Sequence, residues 1–129
     1  MKSLRSPLGS VLGLGSAKEG TGHWWTQRVT AVGVLLLGAW FLLSLQFLPG
    51  LGHEDIVAWL AQPWNAVLML LLIATVAAHS DLGVQVVIED YVHQPFLRAV
   101  SLVLQRFVHV LVAAAAAFSV LRIAFGSAS

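Results

Sequence analysis

The chain has 129 residues, 58% of them hydrophobic and 10% charged, with a formal net charge of +1 and no cysteine. Water-soluble domains run nearer half apolar and a quarter charged, and so short a chain cannot bury this much apolar surface in a core of its own. Lipid is the solvent this composition asks for. The same figures exclude a disordered chain and an electrostatic nucleic-acid binder. Without cysteine the chain alone holds no disulfide framework, thiolate zinc site or iron–sulfur cluster.

In chain order, residues 1–22 hold Lys2, Arg5, Lys18 and Glu19 among glycines and serines. They lack the apolar core of a signal peptide and read as a polar arm. The first predicted span runs from about 26 to 48 and stops at Pro49-Gly50, a helix terminator; it is able to act as an uncleaved signal anchor. The segment Gly50 to Gln62 reads as a loop. Proline is at home in the first helical turn, so the second span starts at Pro63 and runs to about 91. The third, about 97–125, requires that Arg106 be admitted. Each reaches the roughly 20 residues a bilayer core demands. The expected architecture is an all-α membrane protein, a single three-helix anchor domain over 23–126. No internal repeat is present, and Ala113–Ala117 is either helix filler or a close-packing surface.

Basic residues set the orientation. Lys18 and Arg28 precede the first span and Arg98 follows the second loop, whereas the first loop has no Lys or Arg and carries Glu54 and Asp55. The positive-inside rule then puts the N-terminus and second loop in the cytoplasm and the C-terminus in the periplasm. Trp24, Trp25, Trp59 and Trp64 fall at span ends, where indoles anchor in the interface.

Ionisable groups inside a span are costly, and each is a functional hypothesis. His79, Gly83, Val86 and Asp90 form one stripe of the second span. A histidine with glycine one turn on offers a metal-binding nitrogen beside a gap where a flat macrocycle fits; the plainer reading is a hydrogen-bonded packing histidine. His109 on the third span, with Ser101 two turns earlier, is an equal candidate by spacing. Asp90 and Tyr91 end the second span on the face where Arg28 opens the first. An acid, a phenol and a guanidinium at one depth suit a polar head group that needs hydrogen bonds, or else Arg28 snorkels and Tyr91 joins the aromatic belt. His23, His53 and His93 read as loop residues facing water, and Gln85 and Gln105 as bonding to a neighbouring helix. Counting outwards from a turn near His93 and Gln94, Asp81 and Arg106 reach nearly the same depth. They are expected to face each other, directly or through water or the propionate of a bound macrocycle, unless Arg106 serves a companion chain or a propionate and Asp81 turns towards a polar cavity.

Two regions resemble a known family, one in the second span and one comprising the arm and the head of the first span. His79 to Val92, HSDLGVQVVIEDYV, is similar to the H-x(10)-D-Y segment of the succinate dehydrogenase hydrophobic membrane anchor (D-type) subunits of respiratory complex II. The stretches RSPLG, LGSAKEG and HWWTQRVTA resemble the alphaproteobacterial form. The resemblance implies that His79 supplies one axial ligand to haem b, the other coming from a companion cytochrome b556-type anchor. It also implies that Tyr91, beside Asp90, hydrogen-bonds ubiquinone, and that Arg28 lies near the haem propionates and quinone pocket. Asp81 departs from the uncharged residue expected there. The implied partners are the second anchor, the iron–sulfur subunit and the flavoprotein subunit, with membrane lipid around a haem-containing helix bundle in the bacterial inner membrane. The chain would carry no dicarboxylate or flavin site of its own, only a share of the succinate-to-ubiquinone reaction. The rival readings are a small structural or transporter-like protein with an intramembrane His/Asp/Arg path, and a fumarate reductase anchor.

Overall fold

The computed structural model describes residues 20–126. Most of the expected polar arm, with Lys2, Arg5, Lys18 and Glu19, lies outside the described residues. Four helices follow: α1 (Gly20–Gln46), α2 (His53–Leu60), α3 (Pro63–Tyr91) and α4 (Pro95–Gly126). The first, third and fourth are long and apolar enough to cross a membrane, matching the three expected spans. α2 replaces what reads in the sequence as loop.

Local chemistry explains the boundaries. α1 begins six residues before the expected 26, and Thr26 and Thr30 are accommodated by hydroxyls donating to the carbonyls of Gly22 and Thr26 at 2.9 and 2.8 Å, the usual solution for threonine in a helix. It ends before Pro49, which disfavours helical backbone at Leu48; Phe47 and Leu48 close it with bonds to Ser44 and Leu45. α2 carries Glu54 and Asp55 in its first turn, where negative charge complements the helix dipole. α3 starts with Pro63 at its first position. Pro95 opens α4 in the same way, two residues before the expected start. There the Gln94 side-chain carbonyl accepts from the Leu97 amide, the bond an N-cap residue makes.

Among the described residues α1 packs on α3 and α3 on α4, and α1 does not touch α4. The spans therefore form an open row with α3 in the middle. Among the described residues only Leu60, Ala66 and Val120 are buried, a small cluster where α2 tucks under α3 and α4. Trp59 is not simply an interfacial anchor: its ring stacks on Trp40 at 5.6 Å and meets Phe41 at 6.1 Å. Trp64 remains outside, 70% exposed. Helices that stay apolar on their outer surfaces need lipid or further protein around them.

One contact sets the α1–α3 spacing. A Cβ built on Gly33 would come within 2.8 Å of the Thr75 methyl, and Thr75 is pinned in its rotamer by a 2.7 Å bond from its hydroxyl to the Leu71 carbonyl. The absent side chain at Gly33 lets the backbones approach.

Candidate functional site

Polar residues bridge the three spans near the level of His79, Ser80 and Asp81 on α3. His79 on α3 faces α1, where its Nδ1 lies 3.1 Å from Thr30 Oγ1. Gly83, one turn on, faces Gln27 across the same seam, with 4.0 Å between a Cβ built there and the Gln27 amide nitrogen. His23, Gln27 and Thr30 are spaced as one face of α1. His23 Nε2 and Gln27 Oε1 are buried and have no hydrogen-bond partner among the described residues. His23 was expected in a loop facing water; α1 begins early enough to take it in, and the packing turns it inward. Sequence reasoning also passed over Gln27 and Thr30, although polar residues at 23, 27 and 30 make a helical stripe at the head of an apolar span.

On the other side of α3, Asp81 is held twice. Arg106 donates to one carboxylate oxygen at 2.9 Å and Gln105 to the other at 3.0 Å. The expected pairing of Asp81 with Arg106 is direct, and the expected interhelical bond of Gln105 is present. Gln85 differs from expectation, donating to Glu89 on its own helix at 2.8 Å.

The two intramembrane histidines differ in what remains free. Nδ1 of His109 is 2.8 Å from the Gln105 carbonyl, which can only accept, so that nitrogen carries the proton. Its Nε2 must then accept from the Ser80 hydroxyl 3.0 Å away; both nitrogens are used. Ser101 takes no part. For His79, only Nδ1 has a partner among the described residues, leaving Nε2 available to a group outside the chain. No cluster of three metal-ligating side chains exists among the described residues, and a single axial imidazole does not need one. A free Nε2 and a held Nδ1 are what a histidine donor to a metal group outside the chain requires, whereas the gap at Gly83 faces Gln27 across the α1 seam.

Arg28, Asp90 and Tyr91 do not share a depth, contrary to expectation. The pairs Gln27–Gly83, Thr30–His79 and Gly33–Thr75 set an antiparallel register that brings Arg28 level with Asp81. Tyr91 lies ten residues further along α3, roughly 15 Å away at the helical rise. Arg28 instead lies over the Trp24 ring at 5.4 Å, a cation–π arrangement. Asp90 and Tyr91 are exposed at the end of α3, beside the turn where His93 Nδ1 donates to the Tyr91 carbonyl at 3.1 Å. His53 is exposed at the start of α2.

Comparison with known proteins identifies the chain's family. A family model described as succinate dehydrogenase/fumarate reductase transmembrane subunit matches residues 2–121. The chain is 30% identical to the succinate dehydrogenase hydrophobic membrane anchor subunit of Paracoccus denitrificans, over 95% of this chain and 94% of that one. It is 40% identical to the subunit of the same description from Rickettsia bellii (strain RML369-C), over 60% of this chain and 62% of the relative, so that match spans less than two thirds of the relative's length. No solved structure matches the chain.

Proposed function

Because the chain belongs to the succinate dehydrogenase/fumarate reductase transmembrane subunit family, we propose that it anchors a succinate dehydrogenase in the bacterial inner membrane and helps to form its haem b and ubiquinone sites. Its partners in this reading are a second, cytochrome b556-type anchor, an iron–sulfur subunit and a flavoprotein subunit. In this reading the anchor itself would carry no dicarboxylate or flavin site. The open row of helices supports such an assembly, since its outer faces are apolar and its core is minimal.

His79 is the residue that would hold haem through Nε2, with the companion anchor contributing a further ligand. The observation that carries this is the contrast between the two histidines: His109 has both nitrogens committed within the chain, and His79 has one to spare. Haem b supplies a one-electron centre when bound. Arg28, level with Asp81 two residues from His79, is suited to a propionate. Tyr91, whose side chain is 77% exposed, is suited to donate its phenolic proton to a quinone carbonyl, with Asp90 beside it holding negative charge at the same boundary.

The transporter reading lacks a path. Ionisable side chains are absent from Val29 to Gln46 of α1, from Pro63 to Ala78 of α3 and from Val110 to Leu121 of α4, and a relay of protons needs groups spread along the depth. A reduced-minus-oxidised absorption spectrum of the purified complex tests the proposal. The b-type band should be altered or lost in His79→Ala and retained in His109→Ala; the opposite pattern refutes the assignment.

A further inference from the structure

Thr30 sits on α1, 49 residues from His79 in sequence, and its hydroxyl has one proton to give. Two carbonyls of its own helix compete for that proton, Thr26 O at 2.8 Å and Gln27 O at 3.2 Å. Both only accept. The proton goes to them, as is usual for a threonine within a helix, and a lone pair of Oγ1 faces His79 Nδ1 at 3.1 Å. That geometry requires Nδ1 to be the protonated nitrogen, so the lone pair of the imidazole is on Nε2. The opposite tautomer would set the Nδ1 lone pair against the Oγ1 lone pair with no proton between them. The contact is built to last: one turn along α1, Gly33 lies flush against the rotamer-locked Thr75, holding α1 at the spacing the bond needs.

We infer that Thr30 is a positioning residue for the haem ligand: it fixes the tautomer and ring orientation of His79 across the α1–α3 seam and strengthens Nε2 as a donor. This inference rests on the proposed role of His79. Metal-bound histidines generally donate their second ring N–H to an acceptor, which raises their basicity; here the acceptor is a hydroxyl on a different helix. Haem ligation thereby depends on the register of α1, so a displacement of that helix is felt at the iron. A stronger imidazole donor favours the oxidised iron, and loss of the hydrogen bond weakens that preference.

The test is carried out on the complete purified complex with Thr30→Val, which keeps the branched shape and removes the hydroxyl, and Thr30→Ser, which keeps the hydroxyl. Haem midpoint potential and the low-temperature electron paramagnetic resonance g values of the oxidised haem are read alongside haem content. Thr30→Val should shift the midpoint upward and change the g-value spread, or lose haem altogether, with Thr30→Ser restoring wild-type values. Potential and g values unchanged in Thr30→Val overturn the inference, and so does equal disruption in both variants, because the hydroxyl is then not the determinant. The underlying reading fails separately: if the unaltered complex shows no b-type band that depends on His79, the role of His79 is wrong and this inference falls with it. A His79-dependent band indifferent to Thr30→Val sinks the Thr30 role alone.

Discussion

Replacing Gly33 with alanine should loosen the α1–α3 seam, although alanine is the better helix former by up to about 1 kcal/mol. The added Cβ would lie 2.8 Å from the Thr75 methyl, and ordinary carbon contacts begin near about 3.5 Å. The helices must part by roughly 0.7 Å to restore that contact distance, or Thr75 must rotate and forfeit its 2.7 Å bond to Leu71. Overpacking of this kind costs about 1–3 kcal/mol, so a net loss of up to about 2 kcal/mol remains after the propensity gain. The same separation would stretch the 3.1 Å Thr30–His79 contact past the range of a hydrogen bond. Thermal melting of the purified complex, with its absorption spectrum followed in parallel, measures both effects. Thr75→Ser supplies the rescue: it deletes the offending methyl, and the remaining atoms, Oγ1 and Cβ, would stand 3.8 and 3.9 Å from the new Cβ. Gly38→Ala is the comparison, since a Cβ there meets nothing within 4 Å among the described residues. A Gly33→Ala complex as stable as the wild type, or a double variant no better than Gly33→Ala alone, would refute the reasoning.

Asp81→Asn and Arg106→Gln should each reduce the yield of assembled complex, and a double-mutant cycle should find a coupling of about 0.5–2 kcal/mol, the range of intramembrane polar contacts; strictly additive losses would contradict the pair. Tyr91→Phe should slow ubiquinone reduction by roughly ten- to a hundredfold, corresponding to a lost hydrogen bond of about 1–3 kcal/mol, while succinate oxidation by a soluble dye continues at its normal rate; a parallel fall in both activities would assign the residue to assembly. Trp59→Ala removes the stack on Trp40 and the contact with Phe41, and should lower the melting temperature by an amount equivalent to at least about 1 kcal/mol. Gln94→Ala should cost about 1 kcal/mol through the lost cap of α4, read by the same melting curves.

Hydrophobic length is a property of the chain in one dimension, and so the three spans are legible in the amino-acid sequence itself. The Asp81–Arg106 pair is legible for a related reason: Tyr91 and Pro95 are separated by three residues, and with so short a connection the depth on one helix determines the depth on the next. Even there the proline rule that places the start of α3 at Pro63 holds equally at Pro95, where the expected start of about 97 falls two residues late. The connection between α1 and α3 is sixteen residues long and contains the unexpected α2, so counting gives no register across that seam. Packing decides it, through the close approach of Gly33 to Thr75. From that register come the inward turn of His23, the partnership of Thr30 with His79, and the depth of Arg28 roughly 15 Å from Tyr91. Residue spacing alone does not choose between His79 and His109; in the sequence only the resemblance of the His79–Tyr91 segment favours His79. A histidine's free nitrogen depends on which acceptors three-dimensional packing brings to the other one, and only the tertiary structure brings Thr30 to one ring and Ser80 to the other.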